Sequence, residues 1–143
     1  PVSMTFHGRD VFAPVAAHLT LGADLAEMGS PATDPVQLEQ AKPRLAGPRV
    51  LEGEVVYVDR FGSLITNISR DDLKALDPSG RAALKLEVAE FVIKGIRRTY
   101  AEVGVGQLLA VVGSSGLLEV SANRRSAADI LGAGRGTAVR VTR

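Results

Sequence analysis

Glu54-Val55-Val56-Tyr57-Val58-Asp59-Arg60-Phe61-Gly62-Ser63-Leu64-Ile65-Thr66-Asn67-Ile68 reads as two strands around a tight connection. Both flanking runs are rich in β-branched residues. The five residues between them have hairpin length and carry a glycine where positive φ is wanted. Directly downstream, Ser69 followed by Asp72 predicts a capped helical turn, closed by Asp77-Pro78-Ser79-Gly80. Further strands are expected at residues 83–88, 91–93, 108–112, 117–121 and 138–141. Asn123 is expected to cap a short helix running through Leu131, with Gly132 ending it. Short strands with turn signals at close spacing predict a small antiparallel barrel or sandwich over residues 49–143.

Upstream the texture changes. Residues 30–48 are punctuated by Pro31, Pro35, Pro43, Gly47 and Pro48, and read as an extended linker with at most a turn of helix near residues 36–40. Residues 1–29 carry Phe12, Val15, Ala16 and Leu19 at helical spacing. Asp10 stands where an N-cap or first-turn acid favours the helix dipole, and Pro14 requires the helix to begin close to it. A second short helical stretch is expected at residues 24–28. A linker this long marks a domain boundary, so residues 1–29 are expected to be a helical remnant of another domain. The start at Pro1 has neither the basic region nor the apolar core of a signal peptide and reads like the middle of a larger protein.

Composition narrows the function classes. In 143 residues, 17 positive and 16 negative side chains give a net charge of +1. That balance argues against a dedicated nucleic-acid binder. No apolar run reaches the roughly 18 residues of a bilayer span, so no membrane partner is expected and a cytoplasmic location is. The absence of cysteine excludes disulfides and thiolate metal sites. With 45% hydrophobic but only 4% aromatic residues, the core must be aliphatic.

Several clusters can carry chemistry. Thr5-Phe6-His7-Gly8-Arg9-Asp10 packs a base, a guanidinium and a carboxylate ahead of a helix, as a general-base site or anion cradle does. Taken alone, an N-cap Asp with a surface His and Arg explains it better. His7 and His18 lack ligand spacing for zinc, and no metal is expected. Asp59 could hold a ligand's ammonium group, although a turn aspartate bonding its own backbone is commoner. Gly113-Ser114-Ser115-Gly116 could grip a carboxylate or phosphate, or be ordinary hairpin chemistry. Asn123-Arg124-Arg125 could meet a polar ring edge, or be a helix cap with solvated arginines. Tyr100 could stack on a flat ligand or pack at a barrel rim.

In order along the chain these segments form a resemblance. Residues 5–19, from Thr5-Phe6-His7-Gly8 to His18-Leu19, resemble a segment late in the first domain of the S-adenosylmethionine hydroxide adenosyltransferases, relatives of the fluorinase and chlorinase enzymes. Val56-Tyr57-Val58-Asp59-Arg60-Phe61-Gly62-Ser63-Leu64-Ile65-Thr66-Asn67-Ile68 resembles the opening of that family's second domain. Val112-Gly113-Ser114-Ser115-Gly116-Leu117-Leu118-Glu119-Val120, continuing to Asn123 and Ser126-Ala127-Ala128, resembles its last motif. The likeness covers essentially the whole chain.

The resemblance implies attack of water or hydroxide on the ribose C5′ of S-adenosylmethionine, giving adenosine and methionine, with no cofactor besides that substrate. It implies that His7 handles the nucleophilic water, beside Gly8 where a halide-using relative has serine. Asp59 would pair with the methionine ammonium, near Phe61 and Ser63. Ser114 and Ser115 would hold its carboxylate, Tyr100 would lie against the adenine, and Asn123 with the backbone near Arg124 would meet its edge. The fold implied is mainly β with short helices, a barrel-like carboxy-terminal domain after a remnant of an α/β amino-terminal domain. The resemblance also implies that the intact protein is a homotrimer, with the ligand between one subunit's first domain and its neighbour's second.

This sequence departs from the pattern. Ser63 stands where the family usually has Asn, and Ser115 replaces an arginine of the halogenating relatives. The Asp and Arg partners of the histidine would lie before Pro1, so the 143-residue chain by itself is expected to be inactive. The alternative is a non-catalytic small-barrel module for a nucleotide or oligonucleotide, against which stand the charge balance and the shortage of aromatics.

Overall fold

The computed structural model describes residues 1–37, 41–80 and 83–143. The chain divides into two compact units, Pro1–Glu39 and Gln40–Arg143. The turn of helix expected near residues 36–40 falls mostly on residues 38–40, outside the described residues.

In the first unit a π-helical turn, Gly8–Phe12, runs into α1, Ala13–Thr20. Pro14 sits in the first turn of α1, directly after the π-helical turn. Asp10 lies in the first turn, which begins after His7, and its carboxylate pairs with Arg9 and accepts from the Ser3 amide at 2.8 Å. A 3-10 turn, Leu25–Met28, is capped by Asp24 accepting from the Ala26 amide at 2.9 Å. Nothing in the π turn or α1 is buried, and Phe12 of the apolar stripe is exposed.

The second unit is the β domain. Nine strands among the described residues form one sheet: β1 Arg44–Gly47, β2 Val50–Val58, β3 Leu64–Ser69, β4 Lys85–Val88, β5 Phe91–Lys94, β6 Ile96–Arg97, β7 Leu108–Val112, β8 Leu117–Ala122 and β9 Ala138–Thr142. The order is β5-β4-β9-β2-β3-β8-β7-β6, with β1 added on β2. All pairings are antiparallel except β6 with β7. The long β2 turns the sheet on itself. Its first half pairs β9, from Val50↔Thr142 to Glu54↔Ala138, and its second half pairs β3, from Val55↔Thr66 to Val58↔Leu64, with an irregularity between Val55 and Tyr57. A bulge of this kind bends a strand and raises its twist. The sheet curls into a nearly closed barrel, with β5 brought against β7.

The expected hairpin is present, and β2 begins earlier than the expected 54, at Val50. Arg44–Gly47, inside the stretch read as a linker, forms β1. Two short elements were not expected, β6 and a 3-10 turn at Tyr100–Glu102. α2, Arg70–Leu76, starts with the Ser69–Asp72 capping box. α3, Ala127–Leu131, ends at Gly132 in the left-handed conformation, but its cap is Ser126 and not Asn123. The Asn123 side-chain amide donates instead to the Val103 carbonyl at 2.7 Å, and its backbone pairs with Gly106 and Gln107.

The core is aliphatic. Leu51, Val55, Leu64, Ile68, Leu86, Leu118, Val120, Val139 and Val141 are essentially inaccessible, each contributing roughly 1.5–3 kcal/mol by burial. Every phenylalanine and tyrosine is exposed. Thr66 is the most deeply buried of the polar residues. β3 and β8 pair at Leu64↔Val120 and Ile65↔Glu119, then slip to Ser69↔Leu117. Across this slip the buried Thr66 hydroxyl donates to the Leu118 carbonyl at 2.8 Å and accepts from the Ile68 amide at 3.2 Å. The side chain thus supplies partners that the broken ladder withholds. No helix among the described residues is long and apolar enough to cross a membrane.

Candidate functional site

The second unit carries a cleft of about 660 Å³. Its walls come from the β2–β3 connection, the turn at Tyr100, the β7–β8 loop, the end of β8 and the start of α3.

The β2–β3 connection is a closed loop. The Asp59 amide donates to the Ser63 carbonyl and the Gly62 amide to the Asp59 carbonyl, both at 3.0 Å. Asp59 Oδ1 accepts from the amides of Phe61 and Ser63, each at 2.8 Å. The turn aspartate therefore does what turn aspartates commonly do, yet Oδ2 has no partner among the described residues and the residue lines the cleft. One oxygen fixes the carboxylate and the other is open to a ligand. The Arg60 guanidinium lies 4.7 Å from the centroid of the Phe61 ring and steadies that wall.

This loop is tied to the opposite wall at one point. Gly62, buried with φ +81°, packs directly on Ser126, and its carbonyl accepts from the Ala128 amide at 2.9 Å. A methyl group at Gly62 would come within 2.8 Å of Ser126 Cα.

Tyr100 enters from the 3-10 turn Tyr100–Glu102, whose Thr99–Glu102 box holds the chain through the amides of Arg98 and Thr99. Its hydroxyl donates to Glu119 Oε2 at 3.1 Å. Partial burial, then the Glu119 hydrogen bond and charge, then the Asp59 charge, raise the phenol above the ordinary tyrosine range.

Of the residues expected to bind a ligand, Asp59, Phe61, Ser63, Tyr100, Ser114 and Arg124 line this one cleft. Ser115 and Asn123 do not line it. The Ser115 hydroxyl faces the Leu117 amide at 3.5 Å, and Asn123 fastens the 103–107 loop to the end of β8. His7 and Gly8 belong to the first unit, where both are exposed. The cleft also includes Glu119, Ala122, Arg125 and Ser126. The signal for Glu119 lay in β8, where it alternates with the core residues Leu118 and Val120 and so faces away from them. Two carboxylates, Asp59 and Glu119, thus share the cleft with Arg124 and Arg125, neither of which has an ion-pair partner among the described residues. Such a lining suits a ligand carrying both signs of charge.

Arg124 holds a left-handed backbone, φ +55°, at the cleft rim. Arg124→Gly is expected to stabilise the fold by about 1 kcal/mol, since glycine adopts that region freely. Urea unfolding checks this, and a loss of stability would show that the arginine side chain contributes more than its strain removes.

Family models match both units. The model of the SAM hydroxide adenosyltransferase C-terminal domain matches residues 53–140, and that of the N-terminal domain matches residues 1–29. A Thermus thermophilus protein named (R)-S-adenosyl-L-methionine hydrolase is 42% identical over 146 residues, covering 99% of this chain and 50% of that protein. A Nocardia brasiliensis fluorinase is 32% identical over 131 residues, covering 87% of this chain and 43% of the relative. Among solved structures, an uncharacterized conserved protein from Thermotoga maritima superimposes with a TM-score of 0.76 at 33% identity, covering 100% of this chain and 54% of that one. The chain spans about half the length of the curated relatives it matches.

Proposed function

The chain belongs to the SAM hydroxide adenosyltransferase family, and from that premise we propose that it is part of an enzyme hydrolysing S-adenosylmethionine to adenosine and methionine. The β domain holds the adenine and methionine ends of the ligand. The observation that carries this reading is the meeting of Asp59, Phe61, Ser63, Tyr100, Ser114 and Arg124 on one cleft.

The chemistry follows from the ligand. A water oxygen forms a bond to C5′ while the C5′–sulfur bond breaks, its electron pair neutralising the sulfonium as methionine departs. The water's proton passes to a base, the role proposed for His7. A sulfonium leaves without metal or cofactor, so the protein's task is positioning and partial deprotonation of the water. Asp59, already held by two backbone amides, offers Oδ2 to the methionine ammonium. Ser114, on the small-residue β7–β8 loop, serves its carboxylate, with Ser115 beside it. Tyr100 and Phe61 supply flat surface, Tyr100 against the adenine, while Asn123 and the Arg124 backbone serve its edge. Ser63, where relatives usually carry Asn, leaves a shorter polar reach into the cleft. A homotrimeric assembly belongs to the same proposal.

Amide-shift titration of the full chain tests the reading. Adenosine, in the range of about 1 mM for a weak ligand, is expected to shift the amides of Phe61, Tyr100, Ser114 and Arg124. Unshifted cleft amides with adenosine, together with salt-sensitive shifts from a single-stranded oligonucleotide, would overturn it in favour of an oligonucleotide module.

A further inference from the structure

Glu119 is a carboxylate in the cleft to which neither the sequence motifs nor the proposed chemistry assigns a task. Its setting is specific. The alternation along β8 turns it away from the core, and its cross-strand partner is Val111 of β7. Its carboxylate then lies against the backbone of Gly113, so close that a side chain at Gly113 would overlap it: a methyl there would stand 3.1 Å from Oε2 and nearer still to Oε1. Gly113 begins the loop that carries Ser114, a turn closed by Gly116 donating to the Gly113 carbonyl at 3.0 Å. One carboxylate therefore touches two walls of the cleft, the Tyr100 hydroxyl at 3.1 Å and the β7–β8 loop at its glycine.

Tyr100 has few other restraints. It is 47% exposed, and its backbone is fixed by the Thr99–Glu102 box while its ring extends from a short 3-10 turn. An exposed tyrosine gains rotameric freedom when its hydroxyl is released, and a ligand stacking on it must then order it again.

We propose that Glu119 is a positioning residue that holds the Tyr100 ring as the flat wall of the adenine subsite, with Gly113 providing the space its carboxylate occupies. The inference rests on the adenosine-binding reading given above and adds to it the residue that pre-orders the wall. Glu119 acts through Tyr100, so its effect disappears when the Tyr100 hydroxyl is absent. Glutamine keeps an acceptor oxygen at the same reach, whereas alanine does not.

The test is a double-mutant cycle on the full chain, read by adenosine titration, with Tyr57→Phe added where Tyr100 absorbance is followed. Glu119→Ala is expected to weaken adenosine about three- to tenfold, as the ordering of one side chain implies, while methionine affinity holds. Glu119→Gln is expected to remain within about twofold of the parent, and Glu119→Ala to change nothing further in Tyr100→Phe. Alkaline spectrophotometric titration should show the Tyr100 phenol ionising at lower pH in Glu119→Ala, since the accepting carboxylate that favours the neutral phenol has gone. Equal weakening by Glu119→Ala in the parent and in the Tyr100→Phe variant, or loss in Glu119→Gln matching that in Glu119→Ala, overturns the inference alone. A parent chain that binds no adenosine overturns the site reading and this inference together. Folding of every variant is checked by the barrel's unfolding midpoint.

Discussion

Gly62→Ala is expected to destabilise the β domain by about 2–4 kcal/mol, the sum of a left-handed backbone forced on alanine and an overpacked contact. Two costs coincide at this residue. Its φ of +81° is a conformation alanine adopts with strain, and the added methyl would stand 2.6 Å from Ser126 Cβ and 2.8 Å from Ser126 Cα. The second contact is with backbone, so no rotamer change relieves it. Ser126 caps α3, and the Gly62 carbonyl receives the Ala128 amide, so any shift loosens the helix start as well. Gly116→Ala separates the two costs. That glycine has nearly the same φ, +79°, but nothing within 4 Å of the added methyl, so only the strain of about 1 kcal/mol applies. Urea unfolding of both variants is the measurement. A Gly62→Ala protein no less stable than Gly116→Ala would show that the loop and α3 separate freely. Because the same contact joins two walls of the cleft, Gly62→Ala is also expected to weaken adenosine binding, where Gly116→Ala leaves it less affected.

The second large effect concerns Asp59. Asp59→Asn is expected to reduce affinity for S-adenosylmethionine by roughly 10- to 100-fold, the loss of a charge-assisted hydrogen bond of about 1.5–3 kcal/mol. The loop should survive, because an asparagine oxygen can still accept from the amides of Phe61 and Ser63. Asp59→Ala removes ligand contact and loop anchor together, leaving the partly buried Ser63 amide unpaired, and should cost about 1–3 kcal/mol of stability as well. The pair of variants distinguishes charge from scaffold. Titrations of S-adenosylmethionine, methionine and adenosine complete the test: the first two should weaken in Asp59→Asn and adenosine should not. Unchanged affinity for S-adenosylmethionine in Asp59→Asn would remove Asp59 from the ammonium site.

Why some features were legible and others were not follows from the range of the forces involved. The β2–β3 hairpin was legible because its runs and its glycine lie close together in the chain, and the Ser69–Asp72 box because capping is a contact between near neighbours. The strand β1 was not, since Arg44-Leu45-Ala46-Gly47 lies between prolines and becomes a strand by pairing with Leu51 and Glu52 of β2. The cap of α3 was expected at Asn123 and is Ser126. The choice fell to Ser126 because Asn123 is committed to Val103, 20 residues away.

For the cleft, the sequence by itself determined which charged, hydroxyl and aromatic side chains were available to a ligand, and in which loops they lie. It determined as well that the core would be aliphatic, since the few aromatics could not fill it. Only the tertiary structure decided that Asp59 divides its two oxygens between its own loop and the cleft, and that Glu119 joins Tyr100, 19 residues before it, to the glycine of the β7–β8 loop. Patterning and capping act through neighbours along the chain and can be read there. Shared walls and divided carboxylates depend on how a curling sheet brings distant loops to one end, a geometry set by the register and bulges of β2 and β3.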